Sequence, residues 1–177
     1  MAVSEFSQLM RTRAVKKLPR EELWRRIEEF LRKQTMCSLC TCRRDVPRAT
    51  PLEYYLHGTS LYMVGHKGKK IANLRANPRV SIGVYDHVHP TWGDAGNWLG
   101  VKGAQIAGRA RLIWDDDPAW AEAHNCFSSP TMVKVQPGEK PRGRVMIVVE
   151  IEQVEYLDIA LKIKGFGSKQ VWKAPKA

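Results

Sequence analysis

A chain of 177 residues is the size of one domain, and 44% hydrophobic and 27% charged residues exclude collagen, coiled coil, a wholly disordered chain and a disulfide-stapled mini-protein. No run of about 18 apolar residues exists to span a membrane, and the N-terminus lacks the apolar core of a signal peptide, so a cytoplasmic protein without membrane contact is expected. Lys and Arg total 29 against 18 Asp and Glu, a net charge of +11 that draws anions such as nucleic acid, acidic lipid or phosphorylated small molecules without choosing among them.

Residues 1–18 read as a basic arm carrying Arg11, Arg13, Lys16 and Lys17, either mobile or strapped over a partner subunit. The rest, 19–177, reads as a single domain. Pro19 suits a helix start, Glu21 and Glu22 suit its dipole, and Leu23, Ile27, Phe30 and Leu31 lay one apolar stripe along a helix from about 20 to 33. The period then falls to two. Strands are expected at 36–43 and 48–56, joined by the turn Arg44-Asp45-Val46-Pro47, and at 61–65 after a hairpin turn at 57–60. Lys67-Gly68-Lys69-Lys70 leads into a short helix bearing Ile71 and Leu74, which Asn77-Pro78 ends.

A fourth strand follows at 79–85 and a long loop at 86–100. The long strand 101–114 is expected to bend at Gly103 or Gly108. The run Asp115-Asp116-Asp117-Pro118 caps a short helix through His124. The sixth strand, 144–157, contains Val145–Val149, apolar throughout, which reads as a strand buried on both faces against a partner subunit. A short strand or turn around Gln170-Val171-Trp172 closes the chain. Six strands with peripheral helices suggest a mainly β fold, a small antiparallel barrel whose closure would remove exposed edges.

Four pieces in this order carry a resemblance: Arg48-Ala49-Thr50-Pro51-Leu52-Glu53-Tyr54, Leu61-Tyr62-Met63-Val64, Gly68-Lys69-Lys70-Ile71-Ala72-Asn73-Leu74 and Asn77-Pro78-Arg79-Val80. Together with the strand 101–112 they resemble the FMN-binding split β-barrel family typified by pyridoxamine 5′-phosphate oxidase. The C-terminal pattern that holds the oxidase's pyridoxal substrate is missing, so the looser oxidase-like relatives are the better comparison.

The resemblance implies a six-stranded antiparallel split barrel, FMN as cofactor, and a homodimer with flavin at the subunit interface. It also implies oxidoreductase chemistry on an unidentified small molecule, with NAD(P)H as a candidate reductant. Arg48, Lys69 and Lys70 would hold the phosphate. Ala49, Thr50, Pro51 and Leu52, together with Met63 and Val64, would run beside the ring, and Trp98, Lys102 and Gly103 would complete the site. A deazaflavin or haem on the same fold, or flavin binding without turnover, are the alternatives.

The physics of the residues supports an anion site independently. Two ammonium groups follow Gly68 at a helix start whose N–H groups and dipole already favour negative charge, and Arg48 adds a planar fork. No side chain is required as a general acid or base, so no catalytic residue is named. His87 and His89 share a face, with Asp86 beside them, but a third ligand is lacking and no metal is expected. Cys40 and Cys42 share one strand face and Cys37 the other, which suits free thiols better than a cluster. Trp92 and Trp98 could stack on a flavin or fill an interface. Nucleic acid is not expected, because no strand alternates basic and aromatic residues on one face.

Overall fold

The computed structural model describes residues 3–86, 98–127 and 144–175. Helices α1 (Val3–Arg11) and α2 (Arg20–Lys33) precede strands β1 (Met36–Arg43), β2 (Val46–Glu53), β3 (Tyr55–His57) and β4 (Ser60–His66). Helix α3 (Lys69–Ala76) is followed by β5 (Arg79–Tyr85), β6 (Lys102–Trp114), helix α4 (Trp120–Cys126) and β7 (Arg144–Asp158). A 3-10 turn at Ile159–Lys164 leads to β8 (Lys169–Lys173).

All eight strands join one antiparallel sheet in the order β2-β1-β5-β6-β7-β4-β3, with β8 also on β7. The sheet is open and curled, a half-barrel with helices outside, which matches the expected split barrel. Among the described residues the count is eight strands rather than six, for two reasons. The expected strand 48–56 breaks at Tyr54, whose N–H bonds the Thr35 carbonyl and whose hydroxyl donates to the Leu31 carbonyl at 2.8 Å. Tyr54 thus leaves the ladder for the core, where it is 1% exposed, and β3 starts afresh beyond it. The tail supplies the other addition, since β8 pairs with the second half of β7.

The core lies inside the curl. Leu39, Ile82, Ile106, Ile147 and Val149 fill it from alternate strand positions, and the stripe Leu23, Ile27, Phe30 and Leu31 of α2 closes one mouth. The bend expected in the long strand falls at Gly108, where the β6–β7 register shifts. A Cβ there would run into the Glu150 carbonyl oxygen.

Two expectations are corrected. Val145–Val149 is buried on both faces, but its outer face is covered by this chain's own α4: Met146 and Val148 pack with Trp120, Ala123 and Phe127. The basic arm contains a helix, α1. Lys162 Nζ donates to the carbonyls of Leu9, Met10 and Thr12, at 3.3, 2.7 and 3.1 Å, and Lys16 forms a bridge to Phe166. The segment is fastened to its own chain because the C=O groups ending a helix lack internal partners and a cation satisfies them.

Candidate functional site

The sheet has two free ends. Among the described residues β2 pairs only with β1, and β3 covers β4 only over Ser60–Tyr62. The outer edge of Met63–His66 therefore has no ladder partner among the described residues, and β2 approaches β4 without a ladder between them. Along this split, backbone groups of Thr50–Leu52 and of Met63–Val64 can serve a ligand.

Register decides which side chains face it. Arg48, Thr50 and Leu52 lie opposite Thr41, Leu39 and Cys37, so they share the core-facing side of the sheet. Ala49 and Pro51 point the other way and are exposed. The Thr50 hydroxyl is buried and has no hydrogen-bond partner among the described residues. Met63 is 0% exposed and points into the core, while Val64 packs beneath α4, so each offers a ligand its backbone rather than its side chain.

Chain turns on either side of the split assemble a basic cavity of about 410 Å³, lined by Arg43, Arg44, Val46, Pro47, Arg48, Lys69, Ala72 and Asn73. Helix α3 starts after Gly68, whose φ of 155° suits glycine, and the helix packs on β1 through Asn73 Nδ2, which donates to Thr41 Oγ1 at 3.1 Å. That contact sets Lys69 across from Arg48. None of Arg43, Arg44, Arg48 or Lys69 is in an ion pair among the described residues. Lys70 follows Lys69 but does not line the cavity, so the expected basic pair contributes one member.

Sequence reasoning missed Arg43 and Arg44. The signal lies in the structure: a two-residue turn at 44–45 carries the strand ladder to Arg43, which leaves both arginines at the rim beside Arg48.

The remaining expected residues lie elsewhere. Gly103 pairs with Tyr85 and lines a hollow of about 340 Å³ with Gly83 and Gln105. Arg48 pairs with Thr41, and the neighbouring Cys40 pairs with Ser81. Tyr85 is four strand residues beyond Ser81, so Gly103 is on the order of 13 Å along the strands from that level. Lys102 lines a small cavity of about 100 Å³ with three acids, Glu29, Asp86 and Asp158, and two further cations, Arg26 and Lys33. Trp98 is half-buried. His87, His89 and Trp92 lie outside the described residues. The four cysteines are free, and burial pushes the Cys37 thiol up to about 12. Among the described residues no three His, Cys, Asp or Glu side chains gather into a metal-holding group. None of the helices described is long and apolar enough to cross a membrane.

The family model for pyridoxamine 5′-phosphate oxidase matches residues 23–158. The chain belongs to that family. Its fold is similar to a conserved hypothetical protein from Mycobacterium tuberculosis, with a TM-score of 0.61 and 18% identity over 86% of this chain and 91% of that one. It is similar to a putative pyridoxamine 5′-phosphate oxidase from Listeria innocua, with a TM-score of 0.55 and 22% identity over 76% and 98% of the two chains. It is also similar to an FAD-binding protein from Mesorhizobium loti, with a TM-score of 0.51 and 24% identity over 78% and 94%. An F420 reductase, at 21% identity, and a haem-binding protein from Mycobacterium smegmatis, at 17%, share the fold as well. No curated protein sequence matches the chain.

Proposed function

We propose that this family member is an FMN-binding flavoprotein, an oxidoreductase that acts on a small-molecule substrate and takes NAD(P)H as its reductant. The observation that carries this reading is the cavity in which Arg48 and Lys69 converge with no ion-pair partner among the described residues. It fits a phosphate: Arg48 offers a fork of donors, Lys69 a point charge, and the first N–H groups of α3 lie behind them. The partnerless Thr50 hydroxyl, two residues along from Arg48 on the same strand face, suits a polar ring edge. Free backbone groups along the β2–β4 split can do the same.

A bound flavin would supply hydride or electron transfer. The chain's own part is to hold the phosphate, orient the ring between the two sheet edges and exclude water from that split. In this reading the protein is a homodimer with flavin at the interface. Support comes from the distance of Gly103, and of its neighbour Lys102, from the Arg48 cavity: they would serve a flavin held by a second copy. A deazaflavin would use the same basic cavity, and the similarity to an F420 reductase keeps that ligand as the second reading.

The absorbance spectrum of the purified protein, with mass spectrometry of whatever heat releases, tests the assignment. Flavin bands and the mass of FMN are expected. A deazaflavin mass or a Soret band would assign the cofactor otherwise, and a colourless protein that takes up no added FMN would overturn the proposal. Anaerobic reduction of the bound flavin by NADH or NADPH separates an enzyme from a flavin carrier.

A further inference from the structure

The cavity beside the β1–β2 turn holds more positive charge than one phosphate uses. Arg43, Arg44, Arg48 and Lys69 line it and no carboxylate does. A phosphate monoester carries roughly −1.5 to −2 charge near neutral pH, so with one seated about two of the four charges stay uncompensated. Like charges held together without a counterion repel. The two pairs also come from different places. Arg48 and Lys69 belong to β2 and the start of α3, whereas Arg43 ends β1 and Arg44 opens the two-residue turn that follows it.

The turn itself is costly. Arg44 and Asp45 have φ of 52° and 59°, the left-handed region that a two-residue hairpin normally fills with Asn-Gly. A bulky side chain there destabilises the turn, and the arginine it holds at the cavity rim is what the sequence keeps in return.

We infer that Arg43 and Arg44 form a second anion subsite, adjoining the phosphate subsite, that takes a carboxylate or a further phosphate. The inference deepens the cofactor reading above and rests on it for the neighbouring subsite. The second anion has two possible sources: an extension of the cofactor beyond its own phosphate, or a separate anionic substrate.

The test uses the full chain, a variant Arg43→Gln/Arg44→Asn, and a control Arg11→Gln/Arg13→Gln with the same change in net charge. Asn is chosen at position 44 because it tolerates the left-handed region, so the turn folds. Calorimetric titrations are run at low salt with FMN, with F420, whose chain continues past its phosphate into carboxylates, and with citrate on both free and FMN-loaded protein.

The turn variant is expected to bind FMN within about twofold of the parent, the scatter of a surface substitution. It is expected to lose at least about tenfold in affinity for F420 or for citrate, a loss smaller than one charged hydrogen bond supplies. Loss for F420 assigns the subsite to the cofactor's extension. Loss for citrate on FMN-loaded protein assigns it to a separate anion. Equal loss of FMN would merge the arginines with the first phosphate subsite and overturn the inference. So would no loss for any probe, or the same loss in the control. If the parent binds citrate through the turn but neither FMN nor F420, the cofactor reading fails and the subsite stands.

Discussion

Arg48 and Lys69 come from separate elements and meet because Asn73 ties α3 to Thr41 on β1. Arg48→Ala and Lys69→Ala are each expected to weaken FMN binding by about 1.5–3 kcal/mol, the range for a hydrogen bond to a charged group. Lys70→Ala is expected to weaken it less, because that side chain is off the cavity. Equilibrium dialysis checks this ranking, and parental affinity in both of the first two variants would remove the phosphate subsite.

Cys37 gives a prediction of a different kind. Burial raises its thiol from the ordinary 9.0 to about 12. The folded state therefore keeps a proton that the unfolded chain releases. Its contribution is fully present below pH 9 and is lost as pH rises from there toward 12, at up to roughly 1.4 kcal/mol per pH unit. Urea midpoints measured at intervals across that window should fall, and should fall less steeply in Cys37→Ala; an unchanged slope counts against the burial. At this scale the sequence picked out two residues that line one cavity, Arg48 and Lys69, while Lys70 and Lys102, named with them, lie off it. Arg43 and Arg44 were not picked out, because a turn residue's direction depends on the turn's backbone, which the sequence masks when Arg-Asp stands in place of Asn-Gly.

Element by element, periodicity carried far. The stripe of α2 and the alternation of β1 and β5 have the expected bounds within a residue or two. The break at Tyr54 could not be read the same way, because it is set by the Leu31 and Thr35 carbonyls rather than by anything beside Tyr54 in sequence. Helix α1 was missed for a similar reason: its last turn is held by Lys162, from the far end of the chain. The register shift between β6 and β7, where Glu152 of β7 is the extra residue, was legible only as the glycine opposite it. Gly108→Ala would push a methyl into the Glu150 carbonyl and the Val149 side chain. The strand pair has to move apart to admit it, at about 1–3 kcal/mol, as for overpacked cores. A thermal midpoint equal to the parent's would show that β6 and β7 are less tightly apposed there.

For the molecule as a whole, the arm and the C-terminal segment act together. Lys162 bonds three carbonyls at the end of α1, and Gln170 accepts from the Leu18 N–H while donating to the Lys16 carbonyl. Lys162→Met removes the first set and keeps the apolar stem. Limited trypsin digestion should then cut at Arg11 and Arg13 several-fold faster, since local opening rather than global unfolding limits cleavage there; equal rates would mean the latch adds nothing to the hold of α1. That the domain is mainly β was readable from composition and alternation; these alone suggested a closed barrel, and the open seam was expected only through the family resemblance. The order of strands in the sheet was not readable, because β7 takes its place between β6 and β4 through pairings distant in sequence.

That placement of β7 governs how the protein can be made. Strand β4 bonds β7 from Ser60↔Glu150 to His66↔Arg144, so its main ladder cannot exist until the ribosome has released residues near 150. The β2-β1-β5 portion, by contrast, closes on local hairpins and on segments already synthesised. The growing chain therefore holds the arginine-bearing side of the seam early, while β4, held only by its hairpin with β3 over Ser60–Tyr62, waits for β7 to be made. At about 5–20 residues per second that wait lasts several seconds, during which Ser60–His66 presents an open edge to other chains and to chaperones.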